Sequence, residues 1–347
     1  MKHEIDTAAV REAQRRWDAV AKPLHSLGRL EDMIAQIAGI QGCADVRISP
    51  RCALVFCGDH GVVAEGVSQS GSEVTALVAR SIAEGNANVN LMAAAAGCTV
   101  FAVDMGMASG EDIPGVISRR IAPGTRNMTL EPAMSRQQAG QALRHGIDLV
   151  GEMKARGFCM IATGEMGIGN TTASAALASV LLDAPVELLT GRGAGLSDAG
   201  LRRKTGAIER AIRLHRPDAH DPIDVLAKLG GFEIAGMAGC FLGGMAHGVP
   251  IIIDGVISAV AALIAVRICP EARDFMLPSH MSREPAGQLV MDALGLAPVI
   301  HADMALGEGT GAVMLFPMLD MARQVYCGTH TFGELGMDAY VPQEDAP

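Results

Sequence analysis

Short apolar runs alternate along this chain with longer stretches of helical period, and that alternation is its first legible feature. Val10, Ala13, Trp17 and Val20 fall at helical spacing within residues 6–20, and Pro23 ends the stretch. Leu27, Leu30, Ile34 and Ile37 repeat the spacing, so two amphipathic helices precede any strand. Residues 53–56 read as a buried strand closed by Gly58-Asp59-His60-Gly61. A helix is expected from about Ser72, its buried face lined by Val74, Leu77, Val78 and Ile82. Residues 99–103 predict a second strand, residues 108–132 an irregular loop without period, and residues 135–156 a helix.

Residues 158–172, FCMIATGEMGIGNTT, organise the rest. An apolar strand over 158–162 leads into a loop carrying Gly164, Glu165, Gly167 and Gly169. Asn170, Thr171 and Thr172 then cap an Ala-rich helix over 173–182. Strand, glycine-rich loop and helix start in that order make an anion seat, because free N–H groups and a partial positive charge gather there. The same order also describes an ordinary strand-to-helix turn.

Beyond it, a second glycine-rich loop over 191–199 feeds a charged helix with Arg202, Arg203, Lys204, Glu209 and Arg210. Helices follow over 221–229 and 231–247, then strands over 250–253 and 272–277. Residues 299–302 precede Leu306-Gly307-Glu308-Gly309-Thr310-Gly311, residues 312–326 are helical, and the last twenty residues read as polar and frayed. Nearly every apolar run ends in a polar residue beside glycine: Asp59, Asp104, Glu165, Asp254, His280 and Glu308. Apolar runs alternating with helices predict a parallel α/β sheet, whose strand ends share one edge where ligands bind.

Composition narrows the function. The 347 residues are 49% hydrophobic and 19% charged, with mean hydropathy +0.27, which excludes a disordered chain. Net charge −10, without a basic cluster carrying interleaved aromatics, argues against nucleic acid as partner. Residues 249–269 form the most apolar window, but Asp254 and Gly255 interrupt it, so a buried strand and helix are expected rather than a membrane span. Eight cysteines, none in a CxxC pair and with no signal peptide at the start, predict reduced thiols in a cytoplasm.

Weighed singly, the motifs leave choices open. Glu308 between two glycines gains nothing there as helix former or cap; it is either a solvated loop carboxylate or a general base. Lys204 lies either on a solvated charged face or under a phosphate as its counter-charge. Asp59 and His60 could ligate a metal, but no HxH, HExxH or Cys/His cluster supports one, so none is expected. Nucleophile-elbow, Walker and dinucleotide fingerprints are absent.

Taken together, SLGRLE (26–31), GDHGVVAEGVS (58–68), EVT (73–75), GEMGIGNTT (164–172), the loop before Lys204, PSH (278–280) and LGEGTGA (306–312) resemble one family. It is the nicotinate-nucleotide–dimethylbenzimidazole phosphoribosyltransferases, and the likeness runs over nearly the whole chain. The resemblance implies a Rossmann-like parallel-sheet domain with helices on both faces (46–324) and a small helical domain from both termini (1–45 and 325–347). It also implies a homodimer. The implied reaction moves phosphoribosyl from nicotinate mononucleotide to 5,6-dimethylbenzimidazole with inversion at C1′, giving α-ribazole 5′-phosphate and nicotinate for the nucleotide loop of cobalamin. No cofactor is implied. Glu308 would be the base that collects the acceptor's ring proton. The phosphate and ribose would meet Glu165, Gly167, Gly169, Asn170, Thr171 and Lys204. Ser68, Ser70, Leu77 and Leu306 would line the base pocket.

Two departures stand out. Lys22-Pro23-Leu24-His25-Ser26 replaces a KPPGS segment, and Ser70, Gly71, Leu77 and Val78 replace an aromatic and proline before EVT and Gln-Met after it. The second set keeps another acceptor base open as an alternative, beside a non-catalytic nucleotide-binding relative.

Overall fold

The computed structural model describes residues 3–341. Helices α1 (Thr7–Ala19) and α2 (Arg29–Gln41) come first, then strand β1 (Arg51–Gly58). Next are α3 (Glu73–Ala83), α4 (Asn88–Ala95), β2 (Thr99–Gly106), the two-residue strand β3 (Ile117–Ser118), α5 (Arg136–Ala155) and β4 (Met160–Met166). Then follow α6 (Asn170–Leu182), the short α7 (Val186–Leu189), α8 (Asp198–His215), α9 (Pro222–Leu229), α10 (Phe232–His247) and β5 (Ile251–Ile253). The chain closes with α11 (Val256–Ile268), β6 (Met276–Pro278), α12 (Ala286–Leu294) and α13 (Thr310–Gly328).

The described strands form one six-stranded sheet in the order β3-β2-β1-β4-β5-β6, every pair parallel. Alternating side chains feed two cores, as a sheet covered on both faces requires. Cys52, Leu54 and Phe56 of β1 join the core made with α5, α6 and α8–α12; Ala53, Val55 and Cys57 join the one made with α1–α4 and α13. Trp17 of α1 packs at a tilt against Tyr326 of α13, ring centroids 4.9 Å apart and planes at 54°.

Several expectations need correction. Gly164 and Glu165 belong to strand β4, paired with Val55 and Phe56, so the loop is only 167–169. Asn170 is the first helical residue and Gly169 the N-cap. The buried face of α3 is Thr75, Ala76, Ala79 and Ile82, while Leu77 is 62% exposed. Small side chains let α3 sit close to the sheet and turn the bulkier leucine outward. Residues 270–275 are a 3-10 turn before β6, and 108–132 contains β3. Helices α4, α7 and α12 were not anticipated. Within the segment expected to fray, Thr331 bridges Val20, the Phe332 N–H donates to Ala19 and Phe332 is buried; residues 342–347 lie outside the described residues. The apolar window splits into β5 and α11, and no helix among the described residues is long and apolar enough to cross a membrane.

The tightest helix pair is α5 with α10, which lie backbone against backbone. A Cβ on Gly146 would stand 2.0 Å from the Gly236 carbonyl oxygen, and one on Gly239 would stand 2.0 Å from that of Leu143. Gly146→Ala is therefore expected to force the helices apart and cost about 1–3 kcal/mol of stability. Denaturant unfolding measures it, and an unchanged midpoint would contradict the close approach.

Candidate active site

At the C-terminal edge of the sheet lies a cavity of about 240 Å³. Two glycine motifs make its floor by interlocking. A Cβ on Gly164 would meet the Glu308 carbonyl at 2.6 Å, and one on Gly307 would meet Glu165 Oε1 at 2.6 Å. The Glu308 N–H donates to the Glu165 carbonyl at 3.2 Å. Gly307, Glu308 and Gly309 all adopt positive φ, +88°, +60° and +87°. For glutamate that conformation costs about 1–3 kcal/mol and persists only where surroundings impose it. The packing of Gly164 against the Glu308 carbonyl supplies them, and Asp254, just past β5, holds the next turn: Oδ2 accepts from the Gly309 N–H (3.2 Å) and Oδ1 from the Ala312 N–H (2.9 Å).

The Glu308 carboxylate reaches across to α4, Oε1 accepting from Asn88 Nδ2 (3.2 Å) and Oε2 from the Val89 N–H (3.1 Å). It thus caps α4, whose own N-cap residue, Ala87, has no polar side chain. The expectation that Glu308 gains nothing as a cap is corrected: the helix it caps is distant in sequence.

Opposite stands the anion loop. Gly167, Asn170 and Thr171 line the cavity; Gly169 does not, and its role is to start α6. Lys204 is fully buried one layer behind, its Nζ donating to Thr171 Oγ1 (2.8 Å) and to the Gly191 carbonyl (3.0 Å). The solvated-face alternative for Lys204 is thereby excluded. Burial lowers its pKa to about 8, opposed by Glu284. Leu306 lines the cavity, though half its surface is exposed. Ser68, Ser70 and Leu77 do not line it. The loop 68–70 abuts its rim, where Gln69 Nε2 donates to the Ala194 carbonyl at 3.2 Å.

Sequence reasoning did not place Asp254, His280, Ser282 and Glu284 in the site, yet all line the cavity. Asp254, beside Gly255, and His280, in the PSH segment, carried a signal as polar run ends. Of the six run ends, Glu165, Asp254, His280 and Glu308 converge here, the last from a loop rather than a strand. Asp59 and Asp104 do not: Asp59 accepts from Thr75 Oγ1 (2.6 Å) and the Ala108 N–H, and Asp104 pairs with Arg120 (2.7 Å). His60 pairs with Glu233 at 2.6 Å. Among the described residues no group of three or more His, Cys, Asp and Glu could hold a metal ion.

An anion loop facing carboxylates across one crevice at a parallel sheet's edge defines an α/β enzyme for an anionic, nucleotide-like substrate. The family model described as Phosphoribosyltransferase matches residues 3–337, and the chain belongs to that family. It is 46% identical over 330 residues, 95% of this chain and 94% of the relative, to the nicotinate-nucleotide–dimethylbenzimidazole phosphoribosyltransferase of Acetivibrio thermocellus. The enzyme of that name from Ruminiclostridium cellulolyticum is 43% identical, covering 98% and 97%. The crystal structure of nicotinate-nucleotide-dimethylbenzimidazole phosphoribosyltransferase from Thermus thermophilus superposes with TM-score 0.89 at 39% identity, covering 96% of this chain and 99% of that one.

Glu165 offers a direct test. Burial, then Asp254 and Glu233, raise its pKa to about 8, against the pull of the Asn170 amide that donates to Oε2. The folded chain keeps this proton up to about pH 8, whereas an unfolded glutamate releases it near 4.3. The associated stability is therefore present below about pH 4.3 and lost as pH rises through about 8. Glu165→Gln should remove that slope. Its stability relative to wild type is expected to rise by on the order of 1–3 kcal/mol between pH 5 and pH 8; parallel pH curves in thermal unfolding would refute the assignment.

Proposed function

We propose that this chain transfers phosphoribosyl from nicotinate mononucleotide to 5,6-dimethylbenzimidazole, giving α-ribazole 5′-phosphate and nicotinate in assembly of the cobalamin nucleotide loop. The observation that carries the reading is the shared cavity: Glu308 and the Gly167–Thr171 loop are held across it by the interlocked glycines. The relatives' names support the same substrates.

In this reading the 5′-phosphate sits on the N-terminus of α6, against Gly167, Asn170 and Thr171. Lys204, from behind Thr171, supplies the counter-charge. Glu165 lies toward the sugar and, still protonated below about pH 8, places no full negative charge beside the phosphate. Nicotinate leaves as a neutral base because its ring nitrogen is cationic in the donor. The benzimidazole nitrogen enters on the opposite face, which inverts C1′. Its other ring N–H turns acidic as the new bond forms, and Glu308 collects that proton. Leu306 flanks the acceptor, with the 68–70 loop at the rim. The exposed Leu77 lies outside the cavity, which leaves the choice of acceptor base least constrained on that side.

The protein works in this reading as a cytoplasmic homodimer. Exposed Leu77, Leu91, Met314 and Met321 on α3, α4 and α13 supply apolar surface for a second copy. Eight cysteines with no CxxC pair among them suit a reducing compartment. Within the expected terminal unit (1–45 with 325–347), the described residues 3–45 and 325–341 form a small helical part beside the 46–324 domain in this reading, supported by the Trp17–Tyr326 contact and the Val20–Thr331 bridge.

Glu308→Gln is expected to lower turnover at least about a hundredfold with donor affinity largely kept. Nicotinate release followed by chromatography measures it, and near-normal turnover would remove Glu308 as base. Lys204→Ala should weaken donor binding about tenfold or more, the scale of a charge-assisted phosphate contact. Calorimetric titration showing unchanged affinity would contradict the phosphate seat. Should no benzimidazole elicit nicotinate release from the wild-type chain, the reading itself fails.

A further inference from the structure

Resting on the reading above, we propose that His280 is a positioning residue for the donor's sugar: its Nε2 lone pair accepts a hydrogen bond from one ribose hydroxyl. Three observations assign the geometry. The ring is 94% buried yet lines the cavity. It is wedged against α13, since a Cβ on Gly311 would stand 1.8 Å from Nδ1 and 2.2 Å from Cε1. And its tautomer is fixed by its neighbour. Ser279 Oγ donates its one proton to the Ile253 carbonyl at 2.6 Å, so its 3.2 Å contact with His280 Nδ1 has the imidazole as donor.

Nδ1 also faces Asp254 Oδ1 at 3.9 Å, and in the Nδ1–H tautomer Nε2 is left as the acceptor toward the cavity. Nε2 has no hydrogen-bond partner among the described residues. It needs a donor from the ligand, and the substrates own few. Phosphate and the nicotinate carboxylate only accept. The acceptor base has one N–H, which Glu308 takes. The two ribose hydroxyls remain. Of the other cavity carboxylates, Asp254 accepts from the Gly309 and Ala312 N–H groups and Glu165 from the Asn170 amide, while Glu284 lies at Gly191 on the Lys204 side.

The test crosses the side chain with the hydroxyl. Initial rates are measured for wild type and His280→Ala with nicotinate mononucleotide and with its 2′-deoxy and 3′-deoxy analogues. Wild-type turnover of the natural donor comes first, because its absence sinks the phosphoribosyltransferase reading rather than this one. For wild type, one of the two deletions should raise KM about fivefold to tenfold, the worth of one hydrogen bond. His280→Ala should raise KM for the ribonucleotide by a similar factor with kcat within about threefold. The variant should then lose little more on the analogue lacking that hydroxyl, since the interaction is already gone. Losses that multiply for both analogues, or a fall confined to kcat, overturn the proposal. If His280→Ala does not fold, ¹⁵N-imidazole NMR of wild type decides. A protonated Nδ1, with an Nε2 resonance that moves with the ribonucleotide and not with one deoxy analogue, supports it. A protonated Nε2, or an Nε2 resonance indifferent to the hydroxyls, refutes it.

Discussion

The structure depends on one steric constraint: two backbone segments distant in sequence pass too close for any side chain between them. Gly164 lies under the carbonyl of Glu308, and Gly307 lies over the carboxylate of Glu165. A methyl at Gly164 would push the Glu308 backbone away, whereas one at Gly307 would displace the end of the Glu165 side chain and strain a backbone held at φ +88°. The strained φ of Glu308 follows from this contact, and Asp254 stabilises it by accepting from two N–H groups at the start of α13. Backbone geometry, rather than side-chain reach, brings Glu308 into the crevice that holds the anion loop.

Charge is layered around that crevice. Carboxylates stand on its surface, while Lys204 is buried behind the 167–169 loop, its ammonium donating to Thr171 and the Gly191 carbonyl. In the proposed reading a cation so placed attracts the phosphate through the loop with water kept from it, an attraction stronger than a surface lysine would give. Glu165 is raised to about 8 by the same exclusion of water, so its negative charge is withheld at neutral pH. The net −10 of the chain thus says little about affinity for an anion, because the local arrangement governs it.

Much of this was legible in the sequence because it is local. Helical period found α1, α2, α5, α8 and α13, and apolar runs found the longer strands. What escaped was set by tertiary contact. Gly164 and Glu165 are poor strand formers, and they are extended because β1 pairs with them residue by residue. Helix α4 has no clear apolar stripe and draws its cap from Glu308, 219 positions away from Val89. The side of α3 that would be buried was misjudged because leucine and valine outweigh threonine and alanine in any periodicity argument. Yet the sheet face beneath carries Ala53, Ala102 and Ala162 and accepts only a closely packed helix. Lys204 was singled out as a possible counter-charge, but its charge alone does not separate it from the neighbouring Arg202 and Arg203; its place on the same face as Gly200, Ala207, Ile208 and Ala211 does.

The GDHG segment after β1 shows how a motif can serve a site without entering it. Asp59 accepts from Thr75, and the same Thr75 hydroxyl oxygen accepts from the Ile168 N–H within the anion loop at 3.2 Å. His60, paired with Glu233, packs beneath Gly169, where a Cβ would meet its own at 2.9 Å. Burial works against the charged imidazole, but Glu233 and Asp59 outweigh it and raise the His60 pKa. Two polar chains therefore brace the 167–169 loop from below, one by hydrogen bonds and one by packing. The Ile168 N–H is spent on Thr75, and in the proposed reading the remaining free N–H groups are left for a ligand, so the loop's rigidity comes from the layer underneath. That requirement explains why an aspartate, a histidine and a glutamate are buried outside the cavity, where an apolar core would otherwise be expected.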